Sequence, residues 1–181
     1  MFQKEVQSPK YIDIKIKRIS QLFNSFDPSP FLEKDLDDDA FEYIVSSVSE
    51  HHRKTHQKIR IHLPKREMRK TSEEEIKRAV RNYFEYKKLL AEKSIRLELK
   101  EGQFSFIVGI SFLSTVFILR NILLDISDSV AMHVFAEGLI IGGWVAMWKP
   151  ISNILYDWWP LHYEKQIYEK ISTMDIEFMY G

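Results

Sequence analysis

The 181-residue chain contains no cysteine. Disulfides, thiolate metal sites and cysteine nucleophiles are therefore excluded, and cysteine usage says nothing about redox compartment. Net charge is absent too, because 26 Lys and Arg offset 26 Asp and Glu. That balance speaks against a dedicated nucleic-acid binder, and no nucleic-acid module is recognisable. Only six glycines occur, most of them in or beside two apolar runs, so no glycine loop is available to cradle phosphate. Neither G-x-S-x-G nor H-E-x-x-H is present. No enzyme activity, cofactor or metal is therefore expected. The opening "MFQKEVQSPKYIDIKIK" lacks the apolar centre of a secretory leader, so none is expected.

Charge is also scarce locally. A mean hydropathy of −0.27 conceals segregation, since residues 104–148 carry only Arg120, Asp125, Asp128 and Glu137 as charged groups. The run "FSFIVGISFLSTVFILRNILL", 104–124, would extend roughly 31 Å as a helix, matching a bilayer's hydrocarbon core. A second run, "SVAMHVFAEGLIIGGWVAMW", covers 129–148. The short acidic "DISD" between them predicts a tight antiparallel hairpin. Lys93, Arg96 and Lys100 precede the first run and Lys149 follows the second, so the positive-inside rule puts both termini in the cytoplasm. Trp148, Trp158 and Trp159 are expected at the cytoplasmic interface. Pro150 is expected to end the second span, leaving "PISNILYDWWP" as an interfacial stretch.

The remainder reads as a small cytoplasmic β-α-β-α domain. "IDIKIK" at 12–17 and "KIRIHLP" at 58–64 alternate apolar and charged residues, the mark of half-buried strands. Between them Leu36, Ala40, Tyr43, Ile44, Ser47 and Val48 follow helical spacing behind a run of aspartates, which favours a helix N-terminus. Ser72 and Glu75 form a capping box. It opens a long helix with no breaker before residue 101, with Ile76, Val80, Tyr83, Phe84 and Leu90 on its apolar stripe. "DIEFM", 175–179, is a candidate third strand returning to the sheet. The fold expected is an α+β membrane protein: a cytoplasmic domain over 1–70, a long amphipathic helix over 71–103, and transmembrane helices over 104–124 and 129–148. An interfacial segment, short helix and C-terminal strand would complete it over 150–181.

The motifs "FDPSPF", "DLDDDAFEYIV", "AEGLIIGGWVAMWKP" and "LYDWWP", in this order, resemble those of an uncharacterised family of small bacterial inner-membrane proteins. The resemblance covers most of residues 20–165. It implies a two-span protein of the bacterial inner membrane with a cytoplasmic N-terminal domain, and carries no activity, cofactor or catalytic residue.

Three features invite a functional reading. The first is an intramembrane polar cluster of Arg120, His133 and Glu137. With the hairpin centred near residues 126–127, Arg120 lies at the depth of His133 and within reach of Glu137. A charge at mid-bilayer costs roughly 2.5–3.5 kcal/mol on insertion scales. The cluster is read either as a clamp holding hairpin register, as an ion or proton site, or as a docking contact with another membrane protein. The second is the small-residue ridge Gly138, Gly142 and Ala146, which lets helix backbones approach closely within the hairpin or between copies. The third is charge segregation: residues 27–50 hold eight acids and one base, and 53–70 hold eight bases and one acid. These are either solvated faces that partly neutralise each other, or a basic stretch lying on lipid head groups through Arg53, Lys54, Lys58, Arg60, Lys65, Arg66, Arg69 and Lys70.

Two metal readings fail on spacing. An EF-hand loop from Asp35 would need glycine and glutamate where Ala40 and Ser46 stand. His52 and His56 have zinc-pair spacing but no Glu between them, in a segment that reads as a loop. Asp157 reads as an interfacial cap. The expectation is a non-enzymatic, oligomeric inner-membrane scaffold or interaction module, contacting lipid and either its own copies or another membrane protein. A small ion or proton channel using Glu137 is the alternative, and a lipid-acting enzyme comes third.

Overall fold

A computed structural model of the chain describes residues 9–51, 55–69 and 71–181. The candidate head-group cations Arg53, Lys54 and Lys70, and His52 of the candidate zinc pair, lie outside the described residues, as does the side chain of Arg69. The protein mixes helix and strand and is mostly helical. It divides into two compact units, Met1–Leu90 with Glu164–Gly181, and Ala91–Tyr163.

The first unit is built on three parallel strands: β1 (Lys10–Lys15), β2 (Gln57–Leu63) and β3 (Asp175–Tyr180), in the order β1-β2-β3. Ile12 pairs with Ile59, and Ile59 with Ile176. The helices in chain order are α1 (Asp38–Ser49), α2 (Glu73–Ile126), α3 (Val130–Ser152) and α4 (Trp159–Thr173). Both crossovers step the same way across the sheet, and right-handed crossovers that do so place their helices on one face. Burial agrees: Gln57, Ile59, Ile61 and Leu63 of β2 are buried and the residues between them only half so. Phe84, Val80 and Ile76 of α2, Ile44 and Val48 of α1, and Ile171 of α4 complete this core. Phe84 stacks on Phe41 at 5.9 Å between ring centres and meets Tyr83 edge-on at 5.6 Å.

Parallel sheets are usually covered on both faces. Here, among the described residues, the second face carries ion pairs. Lys58 bonds Glu177 at 2.8 Å and lies 3.6 Å from Asp175. Arg60 lies over the Tyr11 ring at 3.5 Å, 3.6 Å from Asp13. The carboxylate of Glu177 holds the Lys58 ammonium above its usual range. The acidic stretch 27–50 and the basic stretch 53–70 therefore do not neutralise each other at these two bases. Outward side chains on a central strand meet their neighbours on the adjoining strands.

Local capping fits the chain's chemistry. Asp37 accepts from the Asp39 amide at 3.2 Å and opens α1. The Ser72 amide donates to Glu75 Oε2 at 2.9 Å and the Glu75 amide to Ser72 Oγ at 3.2 Å, a reciprocal box ahead of α2.

In the second unit the turn between α2 and α3 is shorter than the predicted 125–128 loop, because Asp125 and Ile126 remain helical and Ser129 caps α3. Pro150 does not end the second apolar helix. It lies inside α3, its ring against Gly109, where a built Cβ would stand 3.3 Å from Pro150 Cγ. The expected interfacial stretch is helical as well: Asn153–Asp157 form a π-helical turn leading towards α4. The widened turn passes the proline without breaking the chain's helical course.

Candidate functional site

The apolar parts of α2 and α3 carry most of the residues singled out from sequence. Both helices are long and apolar enough to cross a membrane, yet the most apolar windows of their extended helical segments are only 11% and 17% buried. Neither is the interior helix of a folded globule. Large side chains such as Phe117, Ile118, Phe135 and Val145 point outward.

What holds this pair together is a seam of small residues. In the apolar part of α2 the buried positions are Gly102, Gly109 and Val116; on α3 they include Ala136, Gly143 and Pro150. Each set repeats every seven residues, the spacing that keeps one stripe facing a neighbouring helix. A Cβ at Gly109 would come within 2.6 Å of Met147 Sδ, and one at Gly143 within 2.8 Å of Leu113 Cδ1. At both positions an added Cβ would have to displace the end of a neighbouring side chain, and at Gly109 it would also crowd the Pro150 ring at 3.3 Å.

The same contacts fix the register. Residues 109 and 147, and likewise 113 and 143, have their midpoint at 128. The pivot thus lies one to two residues beyond the expected centre, because α2 runs on to Ile126. Arg120 becomes level with Ala136 rather than with His133. Ala136 is on the seam, and Glu137, about 100° further round, is exposed.

The expected cluster of Arg120, His133 and Glu137 is accordingly spread over separate surroundings. Arg120 donates to Asn121 Oδ1 at 3.3 Å. His133 Nε2 lies 2.8 Å from Asp128 in the turn. Among the described residues Glu137 has no hydrogen bond or ion pair.

The ridge Gly138, Gly142 and Ala146 lies off the seam. A Cβ at Gly138 or Gly142 would meet nothing within 4 Å. These three residues instead line an open apolar groove of about 720 Å³ with Phe112, Val116 and Val134. Neighbouring glycines thus serve different surfaces: Gly143 closes the hairpin and Gly142 leaves a shallow outer face. Sequence reading missed Gly102 and Gly143, although Gly102 lies seven residues before Gly109 and Gly143 seven before Pro150.

At the far end of α3, Lys149 bonds Asp157 at 2.8 Å, and Ser152 Oγ donates to the other Asp157 oxygen at 3.2 Å. Asp157 thus ties the π-helical turn to the last turn of α3. Trp148 and Trp159 are exposed, and Trp158 donates its indole N–H to the Ile154 carbonyl at 3.0 Å. Of the candidate head-group cations, Lys58 and Arg60 are engaged on the sheet, whereas Lys65 and Arg66 are exposed in the short 3-10 turn Lys65–Arg69. No family model, curated protein or solved structure matches the chain.

Proposed function

We propose that the protein is an integral membrane protein whose two antiparallel spans assemble with further copies through the outer face of α3, its α/β unit serving as a cytoplasmic interaction module. The observation that carries this reading is the division of labour among the glycines. Gly109 and Gly143 are consumed by contact within the hairpin, whereas Gly138 and Gly142 face open space. In lipid, helix association draws on close packing rather than on the hydrophobic effect, and small residues are where backbones approach. The flanking Lys93, Arg96, Lys100 and Lys149 support cytoplasmic termini. Placement in a bacterial inner membrane rests on the sequence resemblance alone. Gly142→Leu should disperse the assembly in mild detergent, read as oligomer mass by light scattering. An unchanged mass would remove the ridge as an assembly surface.

Glu137 favours a second reading. It is exposed on the second span and has no ion pair among the described residues. In a bilayer such a group is costly unless it is neutralised or meets water or a partner. A water-lined path between copies would supply that environment and give Glu137 a conducting role. Proton or cation flux into liposomes should then be lost in Glu137→Gln with the oligomer intact. Wild-type protein that passes no flux under any gradient rules this reading out.

A further inference from the structure

The loop carrying the "FDPSPF" motif shapes a hollow in the first unit. Asp27 shapes it. Its two carboxylate oxygens accept from the amides of Ser29 (2.9 Å) and Asp35 (2.7 Å), which folds the segment between them back on itself. Asn82 of α2 donates to the Leu32 carbonyl at 2.9 Å and holds the loop over the helix. The result is a hollow of about 400 Å³ with acidic, apolar and aromatic walls: Asp27, Glu33 and Asp35, then Leu32, then Tyr83 and Tyr86.

Tyr83 is the informative member. It is only 6% exposed, and its ring packs on Phe41 and Phe84. Its hydroxyl has no hydrogen-bond partner among the described residues, and it is not sealed in the core, because Tyr83 lines the hollow. Burial, then Asp35 and Asp38, push this phenol up, so it stays neutral at physiological pH. Glu33 and Asp35 also lack an ion pair among the described residues. Lys87 Nζ lies 5.2 Å from the centres of both the Phe41 and Tyr83 rings.

We propose that this hollow binds an organic cation, a guanidinium or alkylammonium group on an apolar stem. Among the described residues no three His, Asp or Glu side chains are grouped to hold a metal ion. Leu32 and the tyrosine rings suit the methylene stem, Tyr86 offers a half-exposed ring for a guanidinium to stack on, and the Tyr83 hydroxyl accepts an N–H.

The test uses the full chain in detergent with ring-labelled tyrosine, read by NMR. Probes are Nα-acetyl-arginine amide, spermidine, and Nα-acetyl-citrulline amide as the neutral isostere of the first. Saturable shifts of the Tyr83 and Tyr86 signals with arginine amide are expected, with the Tyr11 signal still. Saturation by spermidine and not by arginine amide would make the source a free amine and keep the site. Glu33→Gln with Asp35→Asn should weaken binding about tenfold, two exposed charges being removed. Tyr83→Phe should weaken it with ring packing kept, and Glu33→Gln alone guards against a folding defect in the other variants. The proposal falls if citrulline amide shifts the same signals equally, if neither cation shifts them, or if the charge-removed variant binds as wild type.

Discussion

The two units use apolar residues in opposite ways. In the first, branched and aromatic side chains such as Ile59, Ile61 and Phe84 are buried behind one face of a sheet, and the other face is left to ion pairs. In the second, large apolar side chains point outward and the contact between helices is made by Gly102, Gly109, Ala136 and Gly143. Water rewards the first arrangement, because area removed from it is the main favourable term. In the bilayer setting proposed for the second unit, lipid gives no such reward, and close approach of backbones takes its place. Bulk should therefore be needed in one unit and forbidden in the other.

The largest effect expected is from removing bulk in the first unit. Phe84→Ala should cost about 3–5 kcal/mol, the range for deleting a buried aromatic ring. All four tryptophans (Trp144, Trp148, Trp158 and Trp159) lie in the second unit, so their fluorescence follows that unit alone. In a denaturant titration of detergent-held protein, the circular dichroism transition of the first unit should move to lower denaturant. The fluorescence transition should stay. A shared shift would mean that α2, which runs through both units, makes them unfold as one.

Adding bulk to the second unit tests the other half. Gly143→Leu drives a side chain into Leu113 and Val116 and should cost about 1–3 kcal/mol, as overpacking does. Tryptophan fluorescence should now report the loss. Gly142→Leu, one residue away, enters open space and should leave hairpin stability within about 0.5 kcal/mol. Equal effects at the two positions would erase the distinction between seam and outer groove.

Much of the first unit was legible because its signals are local or periodic against water. Lys58, Arg60 and His62 alternate with Ile59, Ile61 and Leu63, and β2 falls there. The Ser72 and Glu75 box is a three-residue matter, and it forms. The apolar runs likewise announced two long helices. The seam was hidden for a physical reason: when nearly every residue of a helix is apolar, burial leaves no polar and apolar period to read. Choosing Gly143 over Gly142 required the register, and the register hung on whether Asp125 and Ile126 stayed helical. Pro150 was misjudged because its missing amide is a local fact, while the Gly109 surface that accommodates its ring is forty-one positions away in the chain. The cation hollow needs the 27–35 loop to meet α2 through a bond spanning fifty residues, from Asn82 to Leu32.

The smallest effect expected concerns how the first unit manages a loop that contributes little apolar burial of its own. The Asp35 amide, then the side chain and amide of Ser29, hold the Asp27 carboxyl below the usual carboxylate range. A depressed folded value means that the folded state favours the ionised form. The stabilisation is then fully present above the ordinary aspartate value and is lost as pH falls through the lower, folded one. Asp27→Asn keeps one acceptor oxygen for the Ser29 amide but turns an NH2 group towards the Asp35 amide, replacing a bond with two opposed donors. At neutral pH the variant should therefore unfold at lower denaturant than wild type by circular dichroism. The gap should narrow as the pH drops through the acid range, since the protonated Asp27 of the wild type also loses an acceptor. A gap that stays constant from neutral to acid pH would mean that side-chain shape, and not the ionised carboxylate, holds the loop. The contrast between a water-facing unit tuned by charge and an outward-facing unit tuned by glycine would then lose its electrostatic half.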